Sequence, residues 1–131
     1  MPALANKSVA DKLFIKPGKS VLLVNAPQDY QKQLGKLPAG ATIGDDTAGP
    51  ADIIQLFVKS ELELTKQLPK LKKRLKSDGA LWVTYYKGSS KNKTDVNRDS
   101  IAEYASGIGL EGVAIISVDD DWSALRLKIV F

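Results

Sequence analysis

The stretch SVLLVNAPQDYQKQL, residues 20–34, decides how the chain is read. An unbroken apolar run, Val21 to Val24, ends at Asn25-Ala26-Pro27 and passes into a helical pattern. A continuous apolar run of this length fits a central strand covered on both faces. A strand, a sharp turn and a helix in this order open nucleotide-binding α/β domains, where the turn is usually rich in glycine. Here the turn holds no glycine. Pro27 offers no N–H and Ala26 carries a Cβ where a ligand would approach the backbone. Pro27 suits the first position of a helix. Asn25, at the strand tip, is the residue expected to touch a ligand.

The same grammar repeats outward from this stretch. Asn6 or Ser8 can cap a short helix over 6–14, with Val9 and Leu13 inward. Pro17-Gly18 suits the centre of a type II turn. Residues 28–35 read as a short helix ending at Gly35, and Ala41–Gly44 as a short edge strand. DIIQLFV (52–58) is a second buried strand. Ser60 and Glu63 then have the spacing of a capping box. Leu62, Leu64, Leu68, Leu71 and Leu75 form the stripe of the next helix, and Pro69 inside it predicts a kink or two abutting helices. SDG (77–79) closes that helix, and ALWVTYY (80–86) is a third central strand. Asp95 or Asn97 can cap a helix to about Ser106, with Val96, Ile101, Ala105 and Ile108 inward. GVAIISV (112–118) and SALRLKIV (123–130), joined by a short acidic connection, read as an antiparallel hairpin.

Strands alternating with helices imply a parallel sheet with right-handed crossovers. The whole chain, 1–131, reads as a single domain of ordinary size. It is 44% hydrophobic and 26% charged, as in a soluble globular protein. No apolar run approaches a membrane span, and the first residues lack the apolar stretch of a signal peptide, so a cytoplasmic location is expected.

IKPGKSVLLVNAP, ADIIQLFV and LPKLKKRLKSDGALWVTY resemble the Rossmann-like core of the S-adenosylmethionine-dependent methyltransferases. The resemblance implies a three-layer α/β fold with a mainly parallel sheet. In that family's strand numbering the order is 2-1-4-5-7-6, closed by a C-terminal antiparallel hairpin. There is no room between Asp46 and Asp52 for a helix and the family's third strand. KPG with LLVNAP, TDVNRD and DDDWSALRLK are also similar to a family of small single-domain bacterial proteins with no settled activity.

The chain contains no cysteine and no histidine. Disulfides, thiol nucleophiles, the usual zinc sets and a Ser-His-Asp triad are thereby excluded. The resemblance implies S-adenosylmethionine binding, with Asp45 or Asp46 as the ribose-binding acid. The glycine-free turn points instead to a fold whose usual site is lost or repurposed, and to a protein that is not an enzyme. The alternative is a minimal methyltransferase. Net charge is +4, but residues 59–98 alone carry 11 Lys/Arg against 4 Asp/Glu. The basic run 66–76 reads either as a solvated helix face or as a weak nucleic-acid surface. The loop after the third strand, with its neighbours, is the preferred anion site: Asn25, Lys59, Ser60, Tyr85, Lys87, Ser89, Ser90 and Arg98, with Lys91 and Lys93 nearby. The expected partner is an anionic small molecule or a protein; the sequence leaves the oligomeric state open. Asp119-Asp120-Asp121 reads as a solvated turn rather than a cation loop, and Trp82 and Trp122 as packing residues.

Overall fold

The computed structural model describes residues 9–35, 37–44, 50–88 and 94–130. Along them run α1 (Val9–Lys12), β1 (Ser20–Val24), α2 (Tyr30–Leu34), β2 (Thr42–Gly44), β3 (Ala51–Phe57), α3 (Glu61–Arg74), β4 (Leu75–Tyr86), α4 (Arg98–Gly107), β5 (Leu110–Ser117) and β6 (Trp122–Ile129). The six strands form one sheet in the order β2-β1-β3-β4-β6-β5. The β1–β2, β1–β3 and β3–β4 pairs are parallel, and β4–β6 and β5–β6 are antiparallel. The sheet is therefore mixed. Its order differs from the expected string 2-1-4-5-7-6, which counts a third strand; here the strand after β2 is the one that pairs with β1 on its other side.

Successive residues of a strand point to opposite faces, and here both faces are dry. Leu22, Ile54, Leu56, Leu81 and Val83 pack on one side with Leu64, Leu68 and Leu71 of α3 and Ile101 and Ala105 of α4. Val21, Ile53, Phe57 and Trp82 pack on the other with Val9, Ala10 and Leu13, and with Tyr30 and Leu34 of α2. Each fully buried leucine contributes about 1.5–3 kcal/mol, so the three inward leucines of α3 alone hold that helix to the sheet.

Several boundaries move from their expected places. Pro69 lies inside α3, which continues through it as one helix. Leu62 is 67% exposed and stands outside the stripe. Leu75 begins β4 rather than ending the helix. Pro27 is not the first helical residue: its carbonyl accepts the Tyr30 N–H at 3.0 Å, and α2 starts only at Tyr30. The N-terminal caps Asn6 and Ser8 lie outside the described residues. The other caps form as local chemistry requires. Glu63 N–H donates to Ser60 Oγ at 3.2 Å, and Glu63 Oε1 accepts from the Lys59 N–H. Asn97, not Asp95, caps α4 through Ser100, in a reciprocal box.

The amino ends of the parallel strands are clasped by one carboxylate. Asp52 Oδ2 accepts from both the N–H and the hydroxyl of Ser20, at 3.0 and 3.2 Å. Its other oxygen lies 3.2 Å from Lys76 Nζ. Asp52 thus ties β3 to β1 and to the irregular start of β4, where the register jumps from Ala51↔Leu75 to Ile53↔Ala80. The hydrogen bond from the Ser20 backbone, with Lys76 beside it, outweighs burial and holds the carboxyl below its ordinary 3.8. Gly79 completes the joint: a Cβ there would stand 2.7 Å from the Asp52 carbonyl oxygen.

Two stability measurements follow. Because the folded carboxyl is the stronger acid, Asp52 stabilises the fold fully above its unfolded value, and this contribution is lost as pH falls through the lower folded value. Asp52→Ala should cost about 1–3 kcal/mol at neutral pH, and urea titrations should show the gap to wild type closing in strong acid. Gly79→Ala should cost about 1–3 kcal/mol through overpacking, with the loss independent of pH.

Candidate functional site

The apolar run of β1 stops at Val24, and Asn25 turns the chain with φ +61°. Asparagine tolerates this left-handed conformation far better than branched residues do. The backbone bend that a glycine would provide is therefore made by Asn25. After it the chain rises over the sheet edge through Ala26, Pro27 and Gln28, then drops back at Tyr30, which is 1% exposed.

A cleft of about 400 Å³ is left between this turn and β2. Leu23, Val24 and Asn25 form one wall, Ala26 to Gln28 with Gln31 the rim, Tyr30 the floor, and Ile43 and Gly44 the far side. It opens at the carboxyl ends of β1 and β2, beside the point where strand order reverses between β1 and β3, which is where open α/β sheets receive ligands. Its volume falls in the usual range for small-molecule sites. Among the described residues, none that lines it carries a charge.

Behind the floor runs an aromatic chain. Tyr30 meets Phe57 edge-on at 4.7 Å, Phe57 meets Trp122 edge-on at 5.1 Å, and Trp122 stacks on Tyr86 at 4.1 Å. Beneath it, the fully buried Gln55 donates to Thr84 Oγ1 at 3.0 Å. The Tyr30 hydroxyl and Gln55 Oε1 are buried neighbours, yet neither has a partner of hydrogen-bond geometry. Burial pushes the Tyr30 phenol well above its ordinary value, so it stays protonated at neutral pH and is no general base.

The residues expected at the anion site fall into separate settings. Asn25 lines the cleft. Lys59 is exposed at the end of β3, where its carbonyl accepts from the Thr94 hydroxyl. Ser60 serves as the cap of α3, and Asp95 accepts from the Glu61 N–H at 2.7 Å. These bonds bring the segment before α4 to the tip of β3. Tyr85 is buried on the α3–α4 face, while Tyr86 lies on the other. Burial raises the Tyr85 phenol. Lys87 turns toward the hairpin, its ammonium 2.6 Å from Ser117 Oγ. Arg98, 60% exposed, lies 3.5 Å from Asp99. Ser89, Ser90, Lys91 and Lys93 lie outside the described residues, as do Asp45 and Asp46.

The acidic connection is self-contained. Asp119 Oδ1 accepts from the Asp121 and Trp122 N–H groups, both at 2.8 Å, and Oδ2 from the Gln33 amide. Burial opposes its charge, but the Gln33 bond and the two backbone bonds prevail and keep the carboxyl below its usual value. Among the described residues no three potential ligands gather as a metal site would need. The basic run on α3 divides. Lys72 donates to the Ile108 carbonyl at 2.7 Å and Lys76 pairs with Asp52, whereas Lys66, Lys70 and Lys73 are exposed. Among the described residues no helix is long and apolar enough to cross a membrane.

The fold is a mixed α/β sheet of the Rossmann-like kind, like that of methyltransferases. Residues 10–130 match the family described as "Protein of unknown function (DUF3052)", and the chain belongs to that family. No curated protein matches the sequence. Among solved structures, ribosomal protein L11 methylase from Lactobacillus delbrueckii subsp. bulgaricus superposes with a TM-score of 0.67 at 13% identity, over 94% of this chain and 75% of that one. A TehB-like SAM-dependent methyltransferase from Corynebacterium glutamicum gives 0.62 at 15% identity, over 97% and 91%. A SAM-dependent methyltransferase from Aquifex aeolicus gives 0.66 at 13% identity, over 93% and 88%. At these identities the likeness is one of fold.

Whether S-adenosylmethionine suits this cleft can be judged from the lining. The place, the volume and the Asn25 bend fit a nucleoside. The rest does not fit a transfer centre: Pro27 removes a backbone donor from the turn, no described lining residue bears charge, and the phenol at the floor is buried and protonated. Tyr30, Gln28, Gln31 and Ile43 were not singled out from sequence. The signal available was the tyrosine three residues after Pro27, an aromatic placed to return to the core.

Replacing Asn25 tests the bend. Asn25→Gly should leave the melting temperature close to wild type. Asn25→Val should cost about 1–2 kcal/mol, read by thermal unfolding.

Proposed function

We propose that this protein is a non-catalytic Rossmann-like module that binds an anionic small molecule of nucleotide size. Its flat, uncharged part sits in the cleft between the β1 turn and β2, against Ile43 and the Tyr30 floor. Its anionic group lies over the strand tips, between Asn25 and Lys59, with Arg98 on the same side. The observation that carries the reading is a cleft at the strand-order reversal whose described lining residues bear no charge, with Lys59 exposed beyond the tip of the neighbouring β3. A methyltransferase is the second reading, favoured by the fold shared with the solved methyltransferases.

Isothermal titration with AMP, adenosine, S-adenosylmethionine and inorganic phosphate separates these readings. AMP should bind more tightly than adenosine, and Lys59→Ala should erase most of that difference. Ile43→Trp, which fills the cleft, should weaken both at least tenfold. Tightest binding by S-adenosylmethionine would favour the second reading. Dissociation constants all weaker than about 1 mM would overturn both.

A further inference from the structure

At the opposite end of the sheet, below the amino ends of the parallel strands, lies a second cavity of about 290 Å³. Leu13, Phe14, Ile53 and Ala80 supply its apolar wall, and Lys16, Lys19 and Arg126 its cations. Two features there stand out. Arg126 Nε is buried and has no hydrogen-bond partner among the described residues. A guanidinium donor withdrawn from water and left unpaired costs stability, and such groups call for an acceptor.

The second feature is Phe14. The Phe14 N–H donates to the Asp11 carbonyl at 3.0 Å and the Ile15 N–H to the Ala10 carbonyl at 3.1 Å. This is the closing pattern of a helix whose next residue is left-handed, a place normally held by glycine. Phe14 holds it with φ +61°. Burial does not offset this strain, since the side chain is 45% exposed. The ring instead lies between Lys16 Nζ at 5.8 Å and the Arg126 guanidinium at 5.6 Å.

We propose that this cavity is a binding site for a small cyclic or aromatic monocarboxylate. The carboxylate takes the Arg126 guanidinium at its open end, with Lys16 nearby, and the flat hydrocarbon packs on the half-exposed Phe14 ring. Guanidinium donors match carboxylate oxygens in geometry as well as charge. The acids of the cavity set the charge limit. Asp52 is committed to Ser20 and Lys76, but Asp78 on the rim faces any second negative charge. One anionic group is therefore accommodated and a multiply charged anion is disfavoured.

The test is a titration of the whole chain with benzoate, followed by NMR at the arginine Nε–H resonances. Benzoate should move the Arg126 resonance along a saturating curve, with inorganic phosphate and citrate at least tenfold weaker. By calorimetry, Arg126→Met should weaken benzoate at least tenfold. Should that variant fail to fold, the wild-type resonance decides alone. An Arg126 signal unmoved by benzoate up to about 10 mM, well past the millimolar end of the affinity scale, overturns the proposal. So does a signal moved only by phosphate or citrate.

Discussion

Burial of both faces of β1, β3 and β4 is the constraint on which the rest of the structure depends. Strands that are apolar on each side cannot meet water on either, so a helical layer must cover both. The leucines of α3 with the inner residues of α4 close one face, and α1 with α2 closes the other. The short connection from β3 starts α3 beside a strand tip, and the Thr94–Lys59 and Glu61–Asp95 hydrogen bonds bring the start of α4 to the same place. The caps at Ser60 and Asn97 are consequences of this, since the helix ends so placed need acceptors for their free N–H groups.

Within this dry frame, the residues that are buried whole and polar are Gln55 and Thr84 among the described residues. Gln55 and Thr84 face each other across β3 and β4, beneath the aromatic chain that ends at the cleft floor. The two ends of the sheet differ in how they treat charge. At the amino end Asp52 gathers charges into a clasp; at the carboxyl end the described residues that line the cleft carry none.

The sequence made the frame legible because the central strands have only one physical solution. Runs such as VLLV and IIQLFV exclude exposure, and the Ser60–Glu63 spacing announced its cap. Boundaries were less legible. Leu75 has the spacing of the α3 stripe, but pairing with Ala51 draws it into β4. Pro27 suits a helix start, but the turn closing at Tyr30 takes precedence. The cleft itself was half visible. Asn25 stood out by position, whereas Ile43 comes from a strand of three residues whose polarity carries no message. Arg126 left a trace, as a polar residue between Leu125 and Leu127 in the expected alternation. Phe14 left none, because a backbone angle is not written in residue type.

The chain has only two tryptophans, and they stand toward opposite ends of the neighbouring strands β4 and β6. Trp82, fully buried, is paired across the sheet with Arg126, and its indole donates to the Leu13 carbonyl, the residue before Phe14. Trp122 stacks on Tyr86 and reaches Tyr30 through Phe57. Fluorescence emission from this protein is consequently a two-channel signal, each channel weighted to one end of the molecule. A single tryptophan-to-phenylalanine exchange turns it into an optical reporter of either end alone.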